Sequence, residues 1–103
     1  MSDRIRVVLA DDHALVRQGI RQFLESANDI TVVAEAQSGD QAVALVELHQ
    51  PDVALLDIQM PGMSGVEATR QIKQRFPHTR VLILTAYDDD PYVFALLQAG
   101  ADG

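Results

Sequence analysis

Residues 5 to 12 read Ile5-Arg6-Val7-Val8-Leu9-Ala10-Asp11-Asp12, a short and almost continuously apolar run that ends in two acids. β-branched and apolar residues without polar alternation are typical of a strand buried on both faces, as in a parallel sheet covered by helices. From residue 14 to residue 26 the apolar residues recur with a helical period instead. This part of the chain therefore predicts a βα unit with acidic residues at the carboxyl end of its strand.

The same alternation recurs three more times along the chain. Further strands are predicted over residues 30–36, 53–56 and 80–85, and further helices over about 38–48, 64–76 and 92–99. Ser38 with Gln41, and Ser64 with Glu67, have the spacing of a capping box at a helix start. Alternating strands and helices indicate an α/β fold with a doubly wound parallel sheet.

Composition narrows the class of protein further. The chain has 103 residues, no cysteine, and 8 Lys and Arg against 15 Asp and Glu, which gives a formal net charge of −7. This length allows one domain, and the missing cysteines exclude disulfides and thiolate chemistry. The acidic balance argues against a nucleic-acid surface, and no apolar run approaches the roughly 18 residues that a membrane span needs. We therefore expect a single cytoplasmic domain that binds neither nucleic acid nor a membrane.

Three carboxylates follow two of the predicted strands. Asp11 and Asp12 come directly after strand one, and Asp57 comes directly after strand three. If these strands are neighbours, the carboxylates converge and repel one another, which favours a bound hard cation such as Mg²⁺. Thr85, at the end of strand four, would add a hydroxyl group. A carboxylate beside a cation and a hydroxyl is suited to receive a phosphoryl group, with Asp57 as the nucleophile.

Four segments carry a resemblance to a known family: VVLADDH at 7–13, PDVALLDIQMPGMSG at 51–65, VLILTA at 81–86 and ALLQAGADG at 95–103. With these segments in this order, the sequence resembles the receiver domain of two-component response regulators. It is most similar to the NarL/FixJ group, whose receivers precede a LuxR-type DNA-binding domain. The resemblance covers essentially the whole chain and implies a flavodoxin-like sheet of strand order 2-1-3-4.

The resemblance also implies roles for individual residues. It makes Asp57 the acceptor of a phosphoryl group from a sensor histidine kinase, and Thr85 the hydroxyl that bonds this group and switches. Direct Mg²⁺ ligands would be Asp12, Asp57 and the backbone carbonyl of Gln59, with Asp11 acting mainly through water. The chain would be a switch rather than an enzyme, controlling transcription through a DNA-binding output domain that lies outside it.

The family fold has five βα units, and the sequence to Gly103 supplies four. We therefore expect residues 1–103 to be a C-terminally truncated receiver domain without the fifth strand, its aromatic switch residue and its lysine, or the fifth helix. Strand four would then have an edge of unpaired N–H and C=O groups, and helices one and four would lose the cover of the fifth helix. A homodimer or higher assembly through the strand-four edge is the expected result.

Two other functions fit this sequence less well than a receiver domain, and a third stays open. An aspartyl-phosphate phosphatase of the haloacid-dehalogenase type needs Asp-x-Asp, whereas Gln59 stands two residues after Asp57. A flavin phosphate would be repelled by Asp11 and Asp12. A phosphorylation-independent pseudo-receiver, acting as an interaction or dimerisation module, stays open because the family lysine is absent. The side chains of His13, His49 and His78 are expected to be solvated.

Overall fold

The computed structural model describes residues 4–84, 100 and 102–103. Thr85 and the helix predicted over 92–99 lie outside the described residues. The described elements, in chain order, are β1 (Ile5–Ala10), α1 (Ala14–Glu25), β2 (Ile30–Ala36), α2 (Gly39–His49), β3 (Val53–Asp57), α3 (Gly65–Arg75) and β4 (Arg80–Leu84).

The four strands form one parallel sheet in the order β2-β1-β3-β4. Both the parallel pairing and the strand order predicted from the sequence are confirmed. Successive strand residues point to opposite faces of a sheet, so two separate cores form. One core packs α2 and α3 against residues such as Val8 and Leu56, and the other packs α1 against Val7 and Leu9. Helices therefore cover both faces, which is the doubly wound arrangement.

Serine side chains begin two of the helices. Ser38 Oγ accepts a hydrogen bond from the Gln41 N–H at 3.2 Å, and Ser64 Oγ accepts one from the Glu67 N–H at 3.2 Å. The Gln41 side chain reaches back to the N–H of Gln37 at 2.8 Å, whereas the Glu67 carboxylate pairs with Arg70 within its own helix. Both serine caps are thus confirmed, while Glu67 does not complete a capping box.

Helix α1 lies on the sheet with only part of its apolar surface. Ile20 and Leu24 are half-buried and pack against the second core, but Leu15 and Phe23 are 84% and 78% exposed. No residue of α1 is fully buried. Leu15 and Phe23 thus form an exposed apolar row on α1.

The outer edge of β4 carries hydrogen bonds that the sequence analysis did not foresee. The Asp102 N–H donates to the Val81 C=O at 2.8 Å, and the Ile83 N–H donates to the Gly103 C=O at 2.9 Å. The Val81 N–H donates to Asp102 Oδ2 at 2.9 Å, and Lys73 Nζ donates to the same oxygen at 3.0 Å. These two bonds lower the pKa of Asp102, the Val81 N–H contributing more.

The prediction of an unpaired edge is therefore wrong at Val81 and Ile83. The reason is that the Asp102 carboxylate takes the place of a backbone carbonyl, so two residues suffice to occupy three edge groups. Self-association through this edge stays a prediction. Among the described residues, no helix has both the length and the apolar character that crossing a membrane requires.

Candidate metal centre

The acidic residues are brought together by the pairing of β1 with β3. In this pairing Ala10 lies opposite Leu56, so Asp11 and Asp57 leave the sheet side by side at its carboxyl edge. Ligands bind at this edge in open α/β sheets. Asp11 and Asp57 therefore lie at the edge of the sheet where a binding crevice forms.

Four side chains cluster at this edge: Asp11, Asp12, His13 and Asp57 each offer one ligand atom, and these atoms lie within 4.8 Å of one another. Asp11 is buried, Asp57 is half-buried and Asp12 is exposed. The predicted convergence of the three carboxylates is therefore confirmed. Their individual roles stay predictions, as does that of Thr85, which lies outside the described residues.

His13 belongs to this cluster, which the sequence analysis did not predict. Its side chain is 67% exposed, as expected for a solvated histidine, but Nδ1 lies 3.1 Å from Asp11 Oδ1 and 3.0 Å from Asp12 Oδ1. The hydrogen bond with Asp11 and then the charge of Asp12 raise the pKa of His13. The signal in the sequence is its position: the residue after Asp12 is the N-cap of α1, and its N–H donates to Asp11 Oδ1 at 2.8 Å. The chain folds back there and carries the imidazole to the carboxylates.

The surroundings of Asp57 disfavour the ionised form of its carboxyl group. Partial burial, followed by the negative charge of Asp11, raises the pKa of the Asp57 carboxyl, and the N–H groups of Ile58 and Gln59 oppose this shift. Burial disfavours the ionised form, and so does a nearby like charge. An ionised Asp57 therefore destabilises the folded protein when no cation is bound.

We expect Asp57→Asn to stabilise the protein in the absence of divalent cations. The folded-state pKa lies above the unfolded-state value, so the unfavourable contribution is present at neutral pH and disappears as the pH falls through the folded-state pKa. The free energy of unfolding should rise by about 1 kcal/mol near pH 7, the interaction of two unit charges about 4 Å apart in water. Urea unfolding in EDTA, near pH 7 and again near the ordinary pKa of aspartate, measures this. Asp29→Asn, at an exposed acid outside the cluster, is the control. A less stable Asp57→Asn variant would contradict the prediction.

An open pocket of about 570 Å³ lies beside the cluster. Asp12 and Gln59 contribute to its wall, and the rest of the lining comes from Ile58, Met60, Pro61, Ser64 and Val66. The pocket thus joins the acidic cluster to an apolar surface on the loop after β3. Gln59 shares the lining of this pocket with Asp12, and its function as a carbonyl ligand stays a prediction.

The donor set fits a hard divalent cation. Carboxylate oxygens at two neighbouring strand ends, one of them well exposed, are the ligands that Mg²⁺ prefers, and Mg²⁺ usually keeps several water molecules. Such an ion would relieve the repulsion that raises the pKa of Asp57. The residues present therefore suit Mg²⁺.

Comparison with known proteins gives a consistent result. The family described as response regulator receiver domain matches residues 7–103. The transcriptional regulatory protein DegU of Brevibacillus brevis is 46% identical over 101 residues, which are 98% of this chain and 43% of the relative. The oxygen regulatory protein NreC of Staphylococcus carnosus is 47% identical over 100 residues, covering 96% of this chain and 46% of the relative. The chain thus spans less than half the length of these curated relatives.

Solved structures resemble the chain equally clearly. The signal receiver domain of the putative response regulator NarL from Mycobacterium tuberculosis superimposes with a TM-score of 0.92 at 41% identity, covering 96% of this chain and 80% of that one. RcsB of Salmonella enterica, bound to promoter rprA with the phosphomimetic BeF₃⁻, superimposes with a TM-score of 0.87 at 28% identity. That match covers 97% of this chain and 57% of RcsB.

Proposed function

The chain belongs to the family of response regulator receiver domains, and we propose that it is a phosphorylation-dependent signalling switch with Asp57 as its phosphoacceptor. The convergence of Asp11, Asp12 and Asp57 at the carboxyl ends of β1 and β3 is the observation that carries this proposal. Asp57 is half-buried, and the two residues that follow it, Ile58 and Gln59, line the open pocket. Its carboxylate is thus held in place by its surroundings and is still accessible to a phosphodonor.

The proposed reaction is transfer of a phosphoryl group from a phosphorylated histidine of a sensor kinase. A carboxylate oxygen of Asp57 forms a bond to phosphorus while the phosphorus–nitrogen bond breaks, and the electron pair of that bond stays on the imidazole nitrogen. Phosphoryl transfer needs positioning and charge compensation more than covalent help from the protein. The same carboxyl can later lose the group to water, so the chain acts on itself and is not proposed to be an enzyme for a separate substrate.

Asp12, Asp57 and the backbone carbonyl of Gln59 would hold Mg²⁺ directly, and Asp11 would act through water. When bound, the ion would draw charge from the phosphoryl oxygens. Asp11 would contact the water of the ion from a buried position, in which its backbone N–H donates a hydrogen bond to the Ala36 C=O at 3.1 Å. Thr85 would donate its hydroxyl to the transferred group.

The proposed partners follow from the relatives. A sensor histidine kinase would supply the phosphoryl group, and a LuxR-type DNA-binding domain would carry the output. RcsB was solved bound to a promoter, and DegU is described as a transcriptional regulatory protein. With a net charge of −7, the region from Met1 to Gly103 is not proposed to contact DNA itself.

Incubation with Mg²⁺ and a small acyl phosphate tests the proposal. Intact-mass measurement should find one phosphoryl group on the wild-type chain, and none on Asp57→Ala or in the presence of EDTA. Asp52→Ala, which removes a carboxylate at the start of β3 rather than its end, should still accept the group. An adduct that persists in Asp57→Ala would show that another residue is the acceptor.

A pseudo-receiver, binding partners without phosphorylation, is the second candidate. It is favoured by the exposed apolar residues of α1, since Leu15 and Phe23 present a surface that a partner could cover. Absence of any adduct on the wild-type chain, at saturating donor and Mg²⁺, would leave this function as the better explanation.

A further inference from the structure

Arg17 is unusually buried for a charged residue on α1. Its side chain is 13% exposed, compared with 42% for Arg21 one turn later. It is the fourth residue of a helix that has no acidic residue in its first turn. A cation near a helix N-terminus meets the positive end of the helix dipole, which is unfavourable. The burial of Arg17 must therefore be stabilised by contacts outside the helix.

Those contacts lead directly to the acidic cluster. Arg17 Nη1 donates to the backbone C=O of Asp11 at 2.7 Å, and Arg17 Nε donates to Glu35 Oε1 at 2.9 Å. The Asp11 carbonyl belongs to the peptide group that joins Asp11 to Asp12. Because a peptide group is planar, the orientation of this carbonyl constrains the direction in which the chain enters Asp12.

Glu35 anchors the guanidinium group from β2. Its second carboxylate oxygen pairs with Arg21, and Arg21 pairs in turn with Glu25 at 3.1 Å. Arg17 is therefore held between β2 and the loop that follows β1. A planar guanidinium can bond both partners at once, whereas the single nitrogen of a lysine cannot reproduce this fork.

We propose that Arg17 is a positioning residue for the phosphoacceptor site, an inference that rests on the proposed function. It holds the peptide between Asp11 and Asp12 so that the Asp12 carboxylate stays within the cluster formed with Asp57. It also places a positive charge next to Asp11, which carries one of the three clustered carboxylates. Residues that orient metal ligands through a hydrogen bond affect metal affinity strongly without touching the ion.

The test is the dissociation constant for Mg²⁺, measured by isothermal titration calorimetry on the chain without any phosphodonor. Arg17→Gln should raise this constant about tenfold, within the range found for residues that support metal ligands. Arg17→Lys, which keeps the charge but loses the fork, should give a smaller rise. Arg21→Gln is the matched control, because it loses the same partner, Glu35, but makes no bond to Asp11.

Urea unfolding of the same variants separates positioning from support of the fold. Both Arg17→Gln and Arg21→Gln should lose some stability, but only Arg17→Gln should lose Mg²⁺ affinity. An unchanged dissociation constant in Arg17→Gln, or an equal rise in Arg21→Gln, overturns the inference. If Arg17→Gln does not fold, a wild-type constant in Arg17→Lys overturns it instead.

Failure of the proposed function gives a different result. A wild-type chain that binds Mg²⁺ but accepts no phosphoryl group contradicts that function, and the comparison of dissociation constants still decides the role of Arg17. A wild-type chain that binds no Mg²⁺ overturns both.

Discussion

Gly65→Ala is expected to destabilise the protein by about 3 kcal/mol and to remove its capacity to accept a phosphoryl group. Gly65 is the first residue of α3, and a Cβ atom there would lie 2.2 Å from the backbone oxygen of Asp57 and 2.9 Å from Cα of Ile58. These neighbours are backbone atoms, so a change of side-chain rotamer cannot relieve the overlap. Either α3 or the end of β3 has to move, and Asp57 moves with the latter.

Gly19→Ala is the matched control. Gly19 lies within α1, and among the described residues a Cβ atom added there would meet nothing within 4 Å apart from its chain neighbours and the backbone of its own helix. Since glycine in a helix interior costs about 0.5–1 kcal/mol relative to alanine, this variant should be stabilised and should keep its phosphoacceptor activity. Urea unfolding and intact-mass measurement compare the two variants. Wild-type stability in Gly65→Ala would mean that the helix start can move away from β3 freely.

Ile72→Ala is expected to destabilise the protein by about 3 kcal/mol while leaving the site intact in the folded fraction. Ile72 is fully buried in the core that α2 and α3 form on the sheet. Removing three carbon atoms from a closely packed interior loses their burial and leaves a cavity. Because Ile72 lies in the last turn of α3, two turns after Gly65, the backbone behind Asp57 should keep its position.

Chemical unfolding and Mg²⁺ affinity, measured on the same sample, test this separation. Leu48→Ala is the control, since Leu48 is an apolar helical residue that is 73% exposed and its loss should change stability by less than about 0.5 kcal/mol. A weaker Mg²⁺ affinity in Ile72→Ala, under conditions in which the variant is folded, would be evidence that core packing and site geometry are coupled.

The strands and the acids that follow them could be predicted from strong local patterns, whereas the order of the strands in the sheet is what the resemblance to receiver domains implies. The bounds of β1 and β2 are as predicted, since each is a β-branched run between polar residues. Strand β3 extends one residue further than predicted, to Asp57, and β4 follows the prediction as far as Leu84, after which the predicted strand end at residue 85 lies outside the described residues. Once β1 and β3 are parallel neighbours, the acids that follow them have to converge, and no knowledge of side-chain contacts is needed.

Contacts between distant residues could not be predicted in this way. Arg17 and Glu35 are 18 residues apart, and nothing in a helical period distinguishes a buried arginine from a solvated one. The position of His13 at a loop-to-helix junction predicts a solvated side chain, which is observed, but a turn of the backbone at Asp11 also returns its imidazole to the carboxylates. The pairing of Asp102 with β4 depends on a carboxylate acting as a backbone acceptor, for which a short sequence pattern has no signature.

The pairing of residues 102–103 with β4 restricts how two copies of the chain can associate. Asp102 bonds Val81 and Gly103 bonds Ile83, so residues 102–103 run parallel to β4 along its outer edge. A symmetric dimer joined along β4 about a two-fold axis would instead align its two edge strands in opposite directions. The two arrangements compete for the same N–H and C=O groups, so detachment of residues 102–103 has to precede such a dimer. Assembly through this edge should therefore proceed at a rate that becomes independent of protein concentration once detachment is the slow step.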